Sequence, residues 1–127
     1  MTELKMIPSE YPKVGLIRAD SISVMITWFF MGLTGVLWLF QATGVHALEH
    51  AVAVALGAFF LAAGVHVTLA FLHKCPSCAK HPTIQGFKPP HPASLGQSRA
   101  QGWAGVVMSV VLQKRFVCIH CGAEYRA

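Results

Sequence analysis

Charged residues are scarce in this sequence. Only 12% of its 127 side chains are Asp, Glu, Lys or Arg, whereas a soluble domain carries roughly 25%. Hydrophobic residues make up 54%. This composition excludes a disordered or low-complexity chain, which is poor in apolar residues. It also argues against an ordinary soluble domain, because such a domain needs charged side chains to cover its surface.

Two uncharged segments account for the missing charge. Residues 22–40 and 51–72 contain no Asp, Glu, Lys or Arg. As helices they would be about 28 and 33 Å long, enough to cross a hydrocarbon core of about 30 Å. We therefore expect an antiparallel hairpin of two transmembrane helices in the lipid bilayer. The first segment is longer than the apolar core of a signal peptide, and 21 residues precede it, so we expect a retained anchor.

The Lys and Arg residues are distributed unevenly about these segments. Three precede the first segment, none lies in the connection, and seven follow the second. By the positive-inside rule both termini are expected in the cytoplasm. The predicted organisation is a tail (1–20), a membrane hairpin (21–73) and a cytoplasmic module (74–127). The net charge of +5 suits anionic lipid, and we expect no nucleic acid because no basic stripe is interleaved with aromatic residues.

Four cysteines form two C-x-x-C pairs in the last part of the chain, at Cys75, Cys78, Cys118 and Cys121. Each pair offers two thiolates from one tight turn, and two facing turns make a tetrahedral S4 site. Disulfides or free thiols are the alternative, but disulfides are disfavoured in the cytoplasm. The 39 residues between the pairs are more than usual and include a Pro-rich insertion, 79–102, which we expect to be ordered.

The pairs resemble zinc-ribbon and rubredoxin-type knuckles. The match covers Cys75–Cys78 and residues 116–125, and the first pair has Ala79 where glycine often follows. The resemblance implies a small β-rich module around a metal ion. Zinc or iron would suit four thiolates. We favour zinc, since rubredoxin-like iron proteins tend to be acidic and this part of the chain is basic.

The apolar segment 103–112 is too short to span a bilayer. It contains four valines, which favour a strand leading into the second knuckle. An interfacial helix anchored by Trp103 is the alternative, and the periodicity does not separate the two.

A second polar group lies where the second apolar segment begins. His46, Glu49 and His50 form an H-x-x-E-H motif, which in some zinc peptidases supplies two metal ligands and a general base. No catalytic domain surrounds the motif, so a gathering of polar residues at the membrane boundary is the simpler interpretation. A metal ion bound there would need further ligands from a partner.

His66 lies within the second predicted membrane helix, where a polar side chain is expected to face protein or a cofactor. In an antiparallel pair of membrane helices, Thr27 of the first helix is expected at the same depth in the bilayer as His66. A hydrogen bond between the two side chains is the simplest interpretation. The sequence around His66 is also similar to the ligand motif of light-harvesting polypeptides, which implies an axial ligand to haem or chlorophyll. Ala58, Ala62, His66 and Ala70 form a stripe for close helix contact, and His73 shares that face. We expect His81, His91 and His120 to be solvated.

The sequence contains no nucleophile paired with a base, no phosphate-binding glycine loop and no evident small-molecule substrate site. We expect an accessory or assembly subunit of a larger membrane complex rather than an enzyme. Its zinc ribbon would dock on the cytoplasmic side of an integral-membrane partner, and the small-residue stripe would face that partner. An iron electron-transfer protein serving a membrane oxidoreductase is the first alternative. A membrane-tethered ribbon that regulates a soluble protein or a nucleic acid is the second.

Overall fold

The computed structural model describes residues 8–127, apart from the side chain of His46. The helices and strands in these residues are β1 (Ser9–Glu10), α1 (Val14–Ala42), α2 (Glu49–Leu72), α3 (Gly102–Gln113), β2 (Arg115–Val117) and β3 (Glu124–Arg126). α1 and α2 pack together along their length as a hairpin, joined by a short connection with a 3-10 turn at His46–Leu48. The strands and α3 lie at the open end of this hairpin.

α1 and α2 are both long and apolar. They contain 29 and 24 residues, or about 43 and 36 Å of helix, and by length and composition both could cross a membrane. Only 11% and 6% of their most apolar stretches are buried, so most of the apolar surface faces outward. α1 begins eight residues before the predicted position 22, because its first turns pack on the three-stranded sheet and its two cysteine knuckles, which we call the ribbon.

The strands form a three-stranded sheet in the order β1-β3-β2. β2 and β3 are antiparallel, with Phe116 opposite Tyr125, and flank the second cysteine pair. β1 adds to the other edge of β3 in parallel, with Ser9 opposite Tyr125. The segment before the first helix therefore completes the sheet. The layout of two long apolar helices and a small cysteine-bearing sheet fits the predicted fold class.

The ribbon has a core built from distant parts of the chain. The rings of Tyr11, Phe116 and Tyr125 meet edge to face or tilted, with centroids 5.3 to 5.6 Å apart. Aromatic rings prefer such arrangements to face-to-face stacking. Ile17 from α1 and Val106 from α3 are fully buried against the same core. The hairpin and the ribbon are therefore joined through shared side chains.

Residues 103–112 form a helix rather than the favoured strand. Trp103, Val106, Val107 and Val110 recur at i, i+3, i+4 and i+7, and the three valines are buried. Packing of this face overrides the strand preference of valine. α3 lies along α1, where the Trp103 and Trp28 ring centroids are 5.8 Å apart. The helix ends at Lys114, whose left-handed φ of 54° turns the chain into β2.

The Pro-rich insertion is held against the second knuckle. His91 N donates to Ile119 O at 2.7 Å, and Gln97 exchanges two hydrogen bonds with the backbone of Val117. His120 Nε2 donates to the carbonyls of the insertion at 3.1 Å, and His81 Nδ1 donates to carbonyls at the end of α2. His81 and His120 are therefore partly buried and bound to backbone carbonyls rather than fully solvated, whereas His91 is exposed as expected.

Candidate metal centre

The two C-x-x-C pairs adopt the same turn. In the first, Ala79 N donates to Cys75 O at 2.8 Å; in the second, Gly122 N donates to Cys118 O at 2.9 Å. The donor residue is left-handed in both, with φ of 57° at Ala79 and 74° at Gly122. Such a φ costs a side-chain-bearing residue about 1–2 kcal/mol, so Ala79 occupies a glycine position under strain.

The four cysteine sulfurs converge at one point between the knuckles. All four atoms lie within 4.8 Å of one another. Cys75 Sγ is 3.7 Å from Cys121 Sγ, and Cys78 Sγ is 3.9 Å from Cys118 Sγ. A tetrahedral ion with metal–sulfur bonds of about 2.3 Å requires edges of about 3.8 Å. The four thiols therefore fit a tetrahedral metal ion, and none of them is in a disulfide.

Hydrogen bonds surround the sulfurs. Burial raises the pKa of the Cys75 thiol, but hydrogen bonds from Tyr125 Oη and from the backbone of Cys78 and Ser77 outweigh it and lower the pKa to about 7. Burial raises the pKa of the Cys118 thiol, and two backbone hydrogen bonds only partly offset the effect. A bound cation would deprotonate such thiols. The donor set is therefore suited to a metal ion, whose identity the geometry leaves open between zinc and iron.

A second polar cluster joins the hairpin to the ribbon, and we call it the Asp20 cluster: Asp20, His66, His73 and Tyr11. Asp20 is fully buried. Its Oδ1 accepts from His66 Nδ1 at 2.6 Å, and its Oδ2 accepts from His73 Nε2 at 3.0 Å. Because an ionised carboxylate accepts only, both imidazoles must present an N–H to it.

The ribbon closes the far side of this cluster. Tyr11 Oη donates to Lys74 O at 2.9 Å and lies 3.3 Å from His73 Nδ1. His73 is fully buried and two residues from Cys75. A continuous polar path therefore runs from α1, through His73, to the base of the first knuckle.

The predicted hydrogen bond between Thr27 and His66 is not formed. Thr27 Oγ1 donates instead to Ser23 O in its own helix at 2.8 Å, a common local bond for threonine. His66 binds the charged Asp20 acceptor, which makes a stronger hydrogen bond than a hydroxyl. His66 thus contacts the first helix through a residue two turns from the expected one.

The small-residue stripe of α2 faces α1. Ala70 is fully buried and Ala58, Ala62 and His66 are partly buried along the face that contacts α1. His66 of this stripe binds Asp20 of α1, so the stripe is used at least in part within the hairpin. Its contact with a partner stays a prediction. The outward face of α2 carries other side chains, including Leu61, which is 72% exposed.

Of the second predicted metal site, Glu49 and His50 lie exposed in the first turn of α2. The side chain of His46 is outside the described part of the chain, so metal binding there stays a prediction. Among the described residues, the four cysteines are the one group placed to hold a metal ion.

Asp20 was not predicted from the sequence to pair with His66 and His73. A signal was present, since Asp20 is the only acidic residue between Glu10 and Glu49 and stands at the edge of an uncharged segment. An acid at a membrane boundary is expected to have a partner. Tyr11 and Trp103, which complete its surroundings, carry no such signal. Comparison with known proteins gives no family, as the chain matches no protein-family model, no curated protein and no solved structure.

Proposed function

We propose that this chain is an accessory or assembly subunit of a larger integral-membrane complex, with a structural zinc ribbon on the cytoplasmic side. The observation that carries the proposal is the pairing of a closed four-thiolate site with a hairpin whose apolar surface is uncovered. Four protein ligands leave no coordination position for a catalytic water. A role in holding proteins together fits this geometry better than a role in catalysis.

The outward faces of the hairpin support placement in a membrane. Large apolar side chains are exposed along both helices, among them Phe29 at 65%, Trp38 at 61%, Phe60 at 64% and Leu61 at 72%. Apolar surface in water costs roughly 25 cal/mol per Å², and soluble monomers rarely expose contiguous apolar patches of this extent. Lipid or a membrane partner would remove this cost.

The shared core of hairpin and ribbon supports docking rather than free tethering. Ile17 of α1 lies in the ribbon core, and Arg18 Nη2 donates to Ala127 O at 2.9 Å. The ribbon is thereby fixed at the end of the hairpin. A partner that binds the hairpin in the bilayer would meet the ribbon in one defined orientation.

Purification in a mild detergent tests the proposal. We expect the tagged full chain to co-purify with one or more integral-membrane proteins in fixed stoichiometry, identified by mass spectrometry and native gel. The Glu124→Ala variant, which changes one exposed side chain, is the matched control and should retain the partner. A monomer or homodimer that forms no complex at native expression level would contradict the subunit proposal.

Iron electron transfer is the second candidate, because two specific features favour it. Backbone N–H groups of the knuckles donate to Cys75, Cys118 and Cys121, and hydrogen bonds to sulfur help set the potentials of iron–sulfur centres. Cys78 and Cys121 are only partly buried, which would let electrons reach the site. Metal analysis and the visible absorption of the purified protein separate this candidate from structural zinc.

A further inference from the structure

The His66 side chain opens onto a pocket between α2, α3 and the Pro-rich insertion, which we call the His66 pocket. Its volume is about 350 Å³, and its walls include His66, Ala70, Phe71, Ile84, Gln85 and Trp103. Phe71 is 60% exposed and continues onto the outward face of α2. The pocket therefore opens toward the apolar surface of the hairpin.

The Asp20 cluster fixes the chemistry that His66 presents to this pocket. His66 Nδ1 donates to the Asp20 carboxylate at 2.6 Å, so in the neutral ring the Nε2 atom carries a lone pair. No hydrogen bond within residues 8–127 uses that atom, and it is not among the buried unpaired side-chain atoms. The pocket thus contains one oriented, accessible acceptor that calls for an O–H or N–H donor.

Two further polar side chains line the pocket, Gln85 and the buried Thr83, and Gln85 offers a donor. Gln85 Oε1 accepts from Trp103 N at 3.3 Å, which leaves the Gln85 amide nitrogen free to donate to a ligand oxygen. The walls are aromatic as well. The Trp103 ring stacks on the His66 ring with centroids 6.3 Å apart, and such faces favour a flat ligand.

We propose that the His66 pocket binds a quinol, a flat ring with two hydroxyl groups and a long apolar tail. One hydroxyl would donate to His66 Nε2 and the other oxygen would accept from Gln85. A cavity of about 150 Å³ holds benzene, so 350 Å³ has room for one substituted ring. The tail would leave over Phe71 along the outward face of α2. This inference rests on the membrane placement proposed above.

The same geometry argues against a metal-bearing ligand such as haem. The pocket walls supply one imidazole and no second side chain of metal-ligating type among the described residues. A single porphyrin also contains four pyrrole rings, more than this volume accommodates. The predicted haem or chlorophyll at His66 is therefore the competing outcome of the test, recognisable by its visible absorption.

The test uses the full chain in lipid nanodiscs and a decyl-substituted benzoquinol as the probe. Tryptophan fluorescence reports binding, and the dimethyl ether of the same quinol serves as a matched ligand without donors. We expect the ether to bind about tenfold or more weakly, as for loss of a hydrogen bond to a buried acceptor. Equal binding of quinol and ether, or a haem spectrum in the purified protein, would overturn the proposal.

Variants separate the pocket from general partitioning into lipid. His66→Phe keeps an aromatic ring but removes the acceptor, and His50→Phe makes the same change at the far end of α2. We expect the affinity for the quinol to fall tenfold or more in His66→Phe and to stay unchanged in His50→Phe. Since His66→Phe also frees Asp20, Ile84→Trp provides a second probe that fills the pocket and leaves the cluster intact. Wild-type affinity in either pocket variant would refute the site.

Membrane placement is measured separately, by extraction of the membrane fraction with alkaline carbonate. A chain that stays in the membrane but does not distinguish quinol from its ether refutes only the His66 pocket. A chain that is released by carbonate refutes the membrane placement itself.

Discussion

Removal of the Asp20 carboxylate is expected to destabilise the whole molecule. Asp20 is fully buried and accepts from two imidazoles, one of them the fully buried His73. Asp20→Ala leaves both donors without their acceptor, and breaking a buried charged pair costs about 3–5 kcal/mol. Two hydrogen bonds to a charged group, each contributing about 1.5–3 kcal/mol, give a similar figure.

The conservative variant should lie between the parent and Asp20→Ala. Asp20→Asn keeps one acceptor oxygen but turns an amide group toward the second imidazole. A change of tautomer at that ring would restore a hydrogen bond, so we expect a loss of about 2 kcal/mol. Glu124→Ala is the control, because Glu124 is exposed and its contact with Arg115 is 3.9 Å long. Its effect should stay within about 0.5 kcal/mol.

The assay is reversible unfolding in mixed micelles, in which the fraction of a denaturing detergent is raised and helix content is followed by circular dichroism. The order of stability should be parent and Glu124→Ala, then Asp20→Asn, then Asp20→Ala. If Asp20→Ala unfolds at the same detergent fraction as the parent, the Asp20 cluster does not join the hairpin to the ribbon.

Three other predictions concern the knuckles and the topology. Cys118→Ser should release the metal and make the ribbon sensitive to protease while the hairpin stays inserted, since small ribbons lack a sufficient core without metal; full metal content would contradict the site. Ala79→Gly should stabilise the ribbon by about 1 kcal/mol, and Gly122→Ala should destabilise it because a Cβ there would overlap the His91 ring, both measured by thermal unfolding. An impermeant thiol reagent should label Thr43→Cys from outside and Lys88→Cys only from the cytoplasmic side, with the parent as background; the reverse pattern would refute the assigned orientation.

The cysteine quartet was predictable from the sequence because a knuckle is a local structure. Spacing within Cys75–Cys78 and Cys118–Cys121 sets each turn, and the requirement for four ligands brings the turns together. The equivalence of Ala79 and Gly122 was not predictable, since only the observed φ of 57° shows that alanine takes the glycine conformation. Composition was also sufficient to place the two long helices. The observed bounds differ from the predicted ones by eight residues at the start of α1 and by two at its end and at the start of α2.

The Asp20 cluster was not predictable because it depends on how the helices meet. Asp20 and His66 are 46 residues apart, and their pairing depends on the register of α1 against α2. The sequence indicated that His66 and His73 share a face, which is confirmed by their common acceptor. Thr27 was predicted as the partner of His66 only because both residues were expected at the same depth in the membrane. His66 binds Asp20 instead, because a carboxylate is a stronger acceptor than a hydroxyl.

Tertiary packing also decides two smaller features, namely the conformation of 103–112, which the sequence left open between strand and helix, and the presence of β1. The valines of 103–112 favour a strand in isolation, yet they form α3 because one face at helical spacing is buried against the ribbon core. β1 is only two residues long, and its partner Tyr125 is 116 positions away from Ser9. No local pattern marks so short a strand, whose stability comes from the edge of β3 that it covers.

X-ray absorption spectroscopy of the purified full chain, combined with metal quantification, tests the metal centre most directly. We predict one zinc ion per chain, bound by four sulfur atoms at about 2.3 Å with no nitrogen or oxygen in the coordination shell. One iron ion with the same four sulfurs would keep the site and favour electron transfer. A chain without stoichiometric metal, or with fewer than four sulfur ligands, would contradict the closed four-cysteine centre.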